Sequence, residues 1–235
     1  MDTTYTIVLT GASTGVGARA AERLGEAGHT IYAWARNIEA LHQAAQASPN
    51  IIPMQVDIRD PGQVAQAYET IERNHDPVQV LINNAGIVEN IPFAEQALDR
   101  IDDIIDTNLK GSLYCTRLVL PYMISRAWGR IINISSVAGV RGIPGQVTYC
   151  ASKHGMNGFA DALAQELIPH NILLSSICPG GIQTPLWNEE TNPYPGDLSK
   201  VMKPDEIVDI IMFLLLQPDH TLYKQLTVFP TNEWH

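Results

Sequence analysis

The chain has 235 residues, enough for one large α/β domain with a substantial core. Its balance of 45% hydrophobic and 17% charged residues excludes a disordered chain. A formal net charge of −10 repels phosphate backbones and anionic membranes, which argues against nucleic acid or membrane as partner and disfavours an acidic carrier protein.

Met1–Tyr5 carries no basic stretch ahead of an apolar one, so no signal peptide is expected. Ile7–Thr10 reads as a first strand, followed by a helix from about Gly15 to Ala27 that Gly28 is placed to end. Strands follow at Ile31–Ala35 and Ile51–Val56, and Asp60-Pro61 then offers an N-cap with proline in the first turn. Val78–Ile82 is a fourth strand, Leu98–Ile124 one long helical stretch, and Arg130–Ile134 a fifth strand. A helix at Thr148–Leu167, a strand at Ile172–Ile177, a helix opening at Pro204 and a short strand at Leu226–Phe229 complete the chain. Strands that are apolar almost throughout are buried on both faces, as in a parallel sheet. The alternation predicts a single doubly wound sheet of about seven strands with helices on both faces, a Rossmann-type fold. The proline-rich segment from Thr184 to Lys203 lacks periodicity and is expected to be a substrate lid.

Cys115, Cys150 and Cys178 are scattered among apolar or small residues. They fit neither a disulfide framework nor a metal site and read as free thiols of a reducing, cytoplasmic compartment. The apolar run Ile207–Leu216 is too short to cross a bilayer, which takes about 20 residues.

Thr10-Gly11-Ala12-Ser13-Thr14-Gly15-Val16-Gly17 lies where the first strand turns into its helix. Glycines there let the backbone turn tightly and approach a pyrophosphate, which the helix N-terminus receives, and Gly17 lets the helix pack closely on the sheet. Gly11, Ser13, Thr14, Gly15, Val16 and Gly17 are therefore candidate cofactor residues. The second strand ends Trp34-Ala35-Arg36-Asn37 with no acid to bind a ribose 2′-hydroxyl. Arg36 could instead meet a 2′-phosphate, pointing to NADP(H) with NAD(H) as the alternative. Asp57 ends the third strand, where an Asx turn is an equally good account. In Asn83-Asn84-Ala85-Gly86 the asparagines can tie strand ends together, and Gly86 permits close approach of a ribose.

Tyr149 and Lys153 stand at i and i+4, one helical turn apart on the same face. A lysine charge there is expected to lower the phenol's pKa and make it useful in proton transfer. Ser136, in Ser135-Ser136-Val137-Ala138-Gly139, closes the fifth strand thirteen positions earlier.

Taken in order, T-G-x-x-x-G-x-G, N-N-A-G, Asn108, Ser136 and Y-x-x-x-K resemble the short-chain dehydrogenase/reductase family from Thr6 to about Thr184. The resemblance implies Asn108, Ser136, Tyr149 and Lys153 as the catalytic set. Asn108 would distort its helix and help hold a water behind Lys153; Ser136 would donate to the substrate oxygen. It implies an adenine contact for Asp57, ribose contacts for Asn84, Ala85, Gly86, Tyr149 and Lys153, and nicotinamide contacts for Pro179, Gly180, Ile182 and Thr184. It also implies a homo-oligomer, dimer or tetramer. The activity implied is NADP(H)-dependent interconversion of a ketone and a secondary alcohol. NAD-dependent alcohol oxidation, reduction of carrier-bound acyl groups, an epimerase or dehydratase that keeps its nicotinamide, and a non-enzymatic NADP-binding scaffold are the alternatives. Ser136, Val137, Ala138, Arg141, Ile143, Tyr149, Gly181, Leu186 and Trp187 are expected around a small, mostly apolar carbonyl substrate. Arg141 would pair with a substrate anion or face solvent, while Glu189 and Glu190 in the lid oppose an anion.

Overall fold

The computed structural model describes residues 4–74 and 77–233; Met1–Thr3, part of the stretch read above for a signal peptide, lie outside the described residues. Seven parallel strands form one sheet in the order β3-β2-β1-β4-β5-β6-β7, as expected. They are β1 (Thr6–Thr10), β2 (Thr30–Ala35), β3 (Ile51–Gln55), β4 (Val80–Asn83), β5 (Gly129–Ile134), β6 (Ile172–Pro179) and β7 (Gln225–Val228). Pro53 is tolerated because β3 pairs with β2 alone, at the sheet edge.

Side chains alternate along each strand and divide the core in two. Ile7, Leu9, Ile31, Ala33, Val80 and Ile82 face one side, against α1 (Gly15–Glu26), α2 (Ile38–Ala45) and α7 (Pro204–Leu215). Val8, Tyr32, Trp34, Leu81 and Ile131 face the other, against α3 (Pro61–Arg73), α5 (Gly111–Arg126) and α6 (Val147–Leu167). Burial of both faces explains why the strands are apolar throughout.

Helix starts follow local chemistry. The Asp60 carboxylate accepts from Gly62 N at 2.8 Å and Gln63 N at 3.3 Å to open α3. Glu206 Oε2 accepts from Lys203 N at 2.7 Å to open α7. Helix α2 has no counterpart among the sequence expectations: its eight residues bury only Leu41, and the Asn37 cap is its one strong signal. The expected helix over 98–124 is also corrected. It divides into α4 (Leu98–Ile105), a π-helical turn at Asp106–Lys110, and α5. At Gly111 a β-carbon would lie 2.6 Å from Ile58 Cδ1, so the chain passes Ile58 with no room for a side chain. Cys115, Cys150 and Cys178 are buried free thiols. Among the described residues no helix is long and apolar enough to cross a membrane, and no group of three or more His, Cys, Asp or Glu could hold a metal.

Candidate active site

The sheet order reverses between β1 and β4, where an open α/β sheet leaves a crevice beyond its strand ends. A cleft of about 1060 Å³ opens there. Thr10 ties its two sides together: its hydroxyl accepts from Asn84 N at 3.0 Å and Ala85 N at 3.1 Å. Asn84 Nδ2 donates back to Thr10 O at 2.9 Å and Gly11 O at 3.1 Å. Asn83 Nδ2 reaches Asn133 Oδ1 at 2.9 Å and Thr116 Oγ1 at 3.0 Å, locking β4 to β5.

The glycine turn is a shape only glycine permits. Gly11 has φ +67°, and a β-carbon on it would lie 2.7 Å from Ala85 Cα. A β-carbon on Gly17 would lie 2.1 Å from Gly11 O and 2.5 Å from Asn84 Nδ2. Gly11, Ser13, Thr14, Gly15 and Val16 line the cleft, and α1 points its N-terminus into it, so the turn fits a pyrophosphate. Gly17 stands behind that wall, where the lack of a side chain lets α1 pack closely on the end of β1.

Arg36 and Asp57 line the same end of the cleft. Arg36 is exposed and its carbonyl accepts from Gln55 Nε2 at 2.9 Å. Asp57 is clamped by Arg59, with Nη2 to Oδ2 at 2.7 Å and Nε to Oδ1 at 3.0 Å. That guanidinium holds the Asp57 carboxyl below the usual range. Oδ1 also accepts from Arg59 N at 3.0 Å, so the Asx turn and the cleft position hold together. Arg59 Nη1 reaches on to Asp103 Oδ1 at 2.7 Å.

Beyond β5 the cleft is lined by Ser136, Tyr149 and Lys153. The Ser136 hydroxyl accepts from Ala138 N at 3.1 Å and donates to Pro179 O at 3.5 Å. Tyr149 keeps a partly accessible face but is desolvated by the protein around it, and burial pushes its phenol up to about 12 against the pull of a hydrogen bond with Ser136. Lys153 is buried, and that burial brings its ammonium down to about 8. Its Nζ donates to Ile134 O at 2.8 Å and lies 5.8 Å from the centre of the Tyr149 ring. The expectation that lysine lowers the phenol's pKa is therefore corrected in the protein alone: desolvation dominates both groups.

Asn108 lies in the π-turn and is wholly buried, off the cleft wall. Its Oδ1 accepts from Ile87 N at 2.8 Å. Its Nδ2 donates to Ile87 O at 2.9 Å and to Ser152 Oγ at 3.0 Å. The side chain thus ties the helix break to the segment after β4 and to α6.

Pro179, Gly180, Ile182 and Thr184 line the cleft on the β6 side, and Ala85 and Gly86 on the β4 side. Of the expected substrate residues, Val137, Arg141, Ile143, Gly181, Leu186 and Trp187 line it with Ser136 and Tyr149. Ala138 does not: it is fully buried and reaches the site only through its N–H to Ser136. Arg141 resolves neither to a free solvent position nor to a bare anion site, since its guanidinium lies 5.5 Å over the Phe229 ring.

The segment from Thr184 to Lys203 carries more order than its sequence suggests. Asn188 and Asn192 bridge antiparallel, and Trp187 meets Tyr194 edge-on at 4.9 Å. Asn192 fastens it to the segment after β4, with Oδ1 accepting from Asn90 N at 2.9 Å and Nδ2 donating to Val88 O at 3.4 Å, and braces the segment itself through Nδ2 to Leu186 O at 3.0 Å. Tyr194, inside the expected lid though not singled out there, and Glu233, which had no sequence signal, also line the cleft. Glu233 lies 52 positions from Gly181, whose N–H its Oε2 accepts at 2.9 Å, and no motif spans that interval.

Comparison with known proteins agrees with this geometry. The family described as short chain dehydrogenase matches residues 5–195. A 3-oxoacyl-acyl-carrier-protein reductase of Thermotoga maritima is 33% identical over 217 residues, covering 88% of each chain. Carbonyl reductase family member 4 of Danio rerio is 34% identical over 216 residues, covering 90% of this chain and 91% of its own. The closed form of a serine dehydrogenase complexed with NADP+ superposes with a TM-score of 0.90 at 26% identity, covering 98% of this chain and 96% of that one.

Proposed function

The chain belongs to the short-chain dehydrogenase family, and from that premise we propose that it interconverts a small carbonyl compound and a secondary alcohol with NADP(H) as cofactor. The observation that carries the reading is the convergence of Ser136, Tyr149 and Lys153 on the cleft that also holds the glycine turn and Arg36. Two of the relatives are named for carbonyl chemistry, and the serine dehydrogenase is complexed with NADP+.

When bound, the cofactor supplies or accepts the hydride at carbon. Everything else falls to this chain's residues. Gly11, Ser13, Thr14, Gly15 and Val16 receive the pyrophosphate, and Arg36 meets the 2′-phosphate with no acid beside it on β2 to repel it. Asp57 meets the adenine. Asn84, Ala85, Gly86 and Lys153 hold the ribose nearest the site, and Pro179, Gly180, Ile182 and Thr184 fix the nicotinamide end. Ser136 donates a hydrogen bond to the carbonyl oxygen, and Tyr149 gives that oxygen a proton as the alcohol forms. With its phenol pushed up to about 12, Tyr149 holds its proton at neutrality, the state in which reduction begins, and gives it up only to the far more basic alkoxide forming at the carbonyl oxygen. Lys153, brought down to about 8, is poised to pass a proton toward Tyr149, and Asn108 holds the π-turn and the water behind it. Residues 184–203 close over the substrate, with Leu186 and Trp187 on its apolar side.

The charge of −10, with Glu189, Glu190 and Asp197 on the lid, weighs against a carrier-bound acyl substrate, nucleic acid and anionic membranes. Exposed Leu98, Leu113, Ile124 and Val147 on α4–α6 support self-association into a dimer or tetramer. The test is a screen of ketones, diketones, keto acids and sterols by NADPH absorbance, in both directions and repeated with NADH. The reading expects turnover of at least one neutral carbonyl, with NADPH favoured over NADH by about tenfold. A binder of NADPH that consumes none of it with any compound is a scaffold, and the proposal is then wrong.

A further inference from the structure

We propose that Glu233 selects the substrate, by receiving an ammonium group carried next to the reacting carbon of a small amino alcohol or amino ketone. The inference rests on the oxidoreductase reading above and adds the substrate's chemical class.

Glu233 enters the cleft from the chain end and is held by one oxygen only. Its Oε2 accepts from Gly181 N at 2.9 Å, whereas Oε1 is buried and has no hydrogen-bond partner among the described residues. Buried carboxylate oxygens are ordinarily paired, so a lone one calls for a donor. Gly181 is what lets the carboxylate come up beside the lid: a β-carbon there would stand 2.5 Å from Oε1 and 2.2 Å from the Tyr194 hydroxyl, yet Oε1 takes no hydrogen bond from that phenol. A β-carbon on Gly180 would lie 2.8 Å from Oε2. The pair of glycines at the end of β6 is what admits the acid at all.

Glu233, Tyr194, Ser136 and Tyr149 line one cleft, so a molecule with its carbonyl at the Ser136–Tyr149 end can extend toward the carboxylate. A hydroxyl or an ammonium could each donate to Oε1, and charge decides between them. Of the lid's acids Asp197 lines the cleft, paired with Lys200 at 3.0 Å, while Glu189 and Glu190 are exposed on a chain of net charge −10. Arg141, the cation on the same wall, lies over Phe229 in the segment that carries Glu233. Such a field draws a cationic group in and raises the return on pairing it away from water.

The experiment compares oxidation of isopropanolamine, propylene glycol and sec-butanol with NADP+ near neutral pH, in wild type and Glu233→Gln. The glutamine keeps an amide oxygen for the Gly181 N–H and removes the charge. The wild type is expected to favour isopropanolamine over the other two by about tenfold or more in kcat/KM. In Glu233→Gln that ratio should fall toward one, through KM rather than kcat, and Glu233→Ala should repeat the result. The same ratio in wild type and variant overturns the proposal, as does a wild type that favours propylene glycol. Failure to oxidise any of the three by an enzyme that turns over other carbonyls overturns it and leaves the oxidoreductase reading standing. Failure on every compound of the wider screen overturns both.

Discussion

At the β1–β4 end of the cleft the wall is main chain, whereas at the lid end it is side chains from segments far apart in sequence. Gly11, Asn84 and Ala85 meet there within about one side chain's thickness, and no β-carbon fits at Gly11 or Gly17. Across the cleft, Arg141, the lid residues Leu186 and Tyr194, and Glu233 arrive from three separate stretches held by ring contacts and one backbone N–H. A wall made of main chain recognises what every dinucleotide has in common, and it tolerates almost no change. A wall made of side chains can be altered residue by residue, and that is where members of one fold come to differ in substrate.

The largest effect expected from this contrast is at Gly17. An added methyl meets the Gly11 carbonyl at 2.1 Å, which is backbone and cannot swing away. Gly17→Ala should lower the unfolding free energy by about 3 kcal/mol in denaturant titration and weaken NADPH binding with it. A variant as stable as wild type would mean that α1 can back away from β1 freely.

Lys153 joins the two regions, and its burial has a pH signature. Its folded pKa of about 8 lies below the unbound value of 10.5, so between these values the unfolded chain holds the extra proton and stability grows as pH rises. Below about 8 the cost of burying the charge is fully present. Lys153→Met has no such term, so wild type should gain on it by up to about 3 kcal/mol from pH 8 to 10.5. A difference between the two proteins that does not change across that window would show that the ammonium is solvated.

Arg36→Ala should raise KM for NADPH by about tenfold and leave NADH nearly unaffected, because only the former carries a 2′-phosphate. Equal losses for both cofactors would place Arg36 outside the nucleotide site. The smallest effect on stability belongs to the lid. Asn192→Ala removes bonds to Asn90, Val88 and Leu186, yet it should change global unfolding by less than about 1 kcal/mol. Hydrogen exchange of the amides at 188–192 should rise instead; a global loss as large as that of Gly17→Ala would erase the distinction between the two walls.

The same contrast explains what could be read without coordinates. The strands were legible because a doubly covered sheet demands continuous apolar runs, and the nucleotide turn because its backbone conformation demands glycine at set intervals. Tyr149 and Lys153 were legible because one helical turn fixes their spacing. Helix α2 was not, since its eight residues bury a single leucine. The apolar pattern of α4 runs on into α5, so periodicity alone gave one long helix; the break was legible only through the expected distortion at Asn108, whose bonds to Ile87 and Ser152 lie in the π-turn. Glu233 had no signal because nothing local constrains it, and Tyr194 was covered only by the expected lid as a whole: their positions follow from where β7 and the lid end up in space. The direction of the Tyr149 shift also needed coordinates, since burial and a neighbouring charge act oppositely on a phenol and only geometry ranks them.

The central claim is that the Tyr149 hydroxyl moves the proton. Tyr149→Phe keeps the ring and removes only that oxygen. With the best carbonyl compound from the screen, kcat should fall by about a thousandfold or more, while NADPH affinity, followed by its fluorescence, stays within about threefold of wild type. Turnover by Tyr149→Phe at a rate close to wild type would contradict the account.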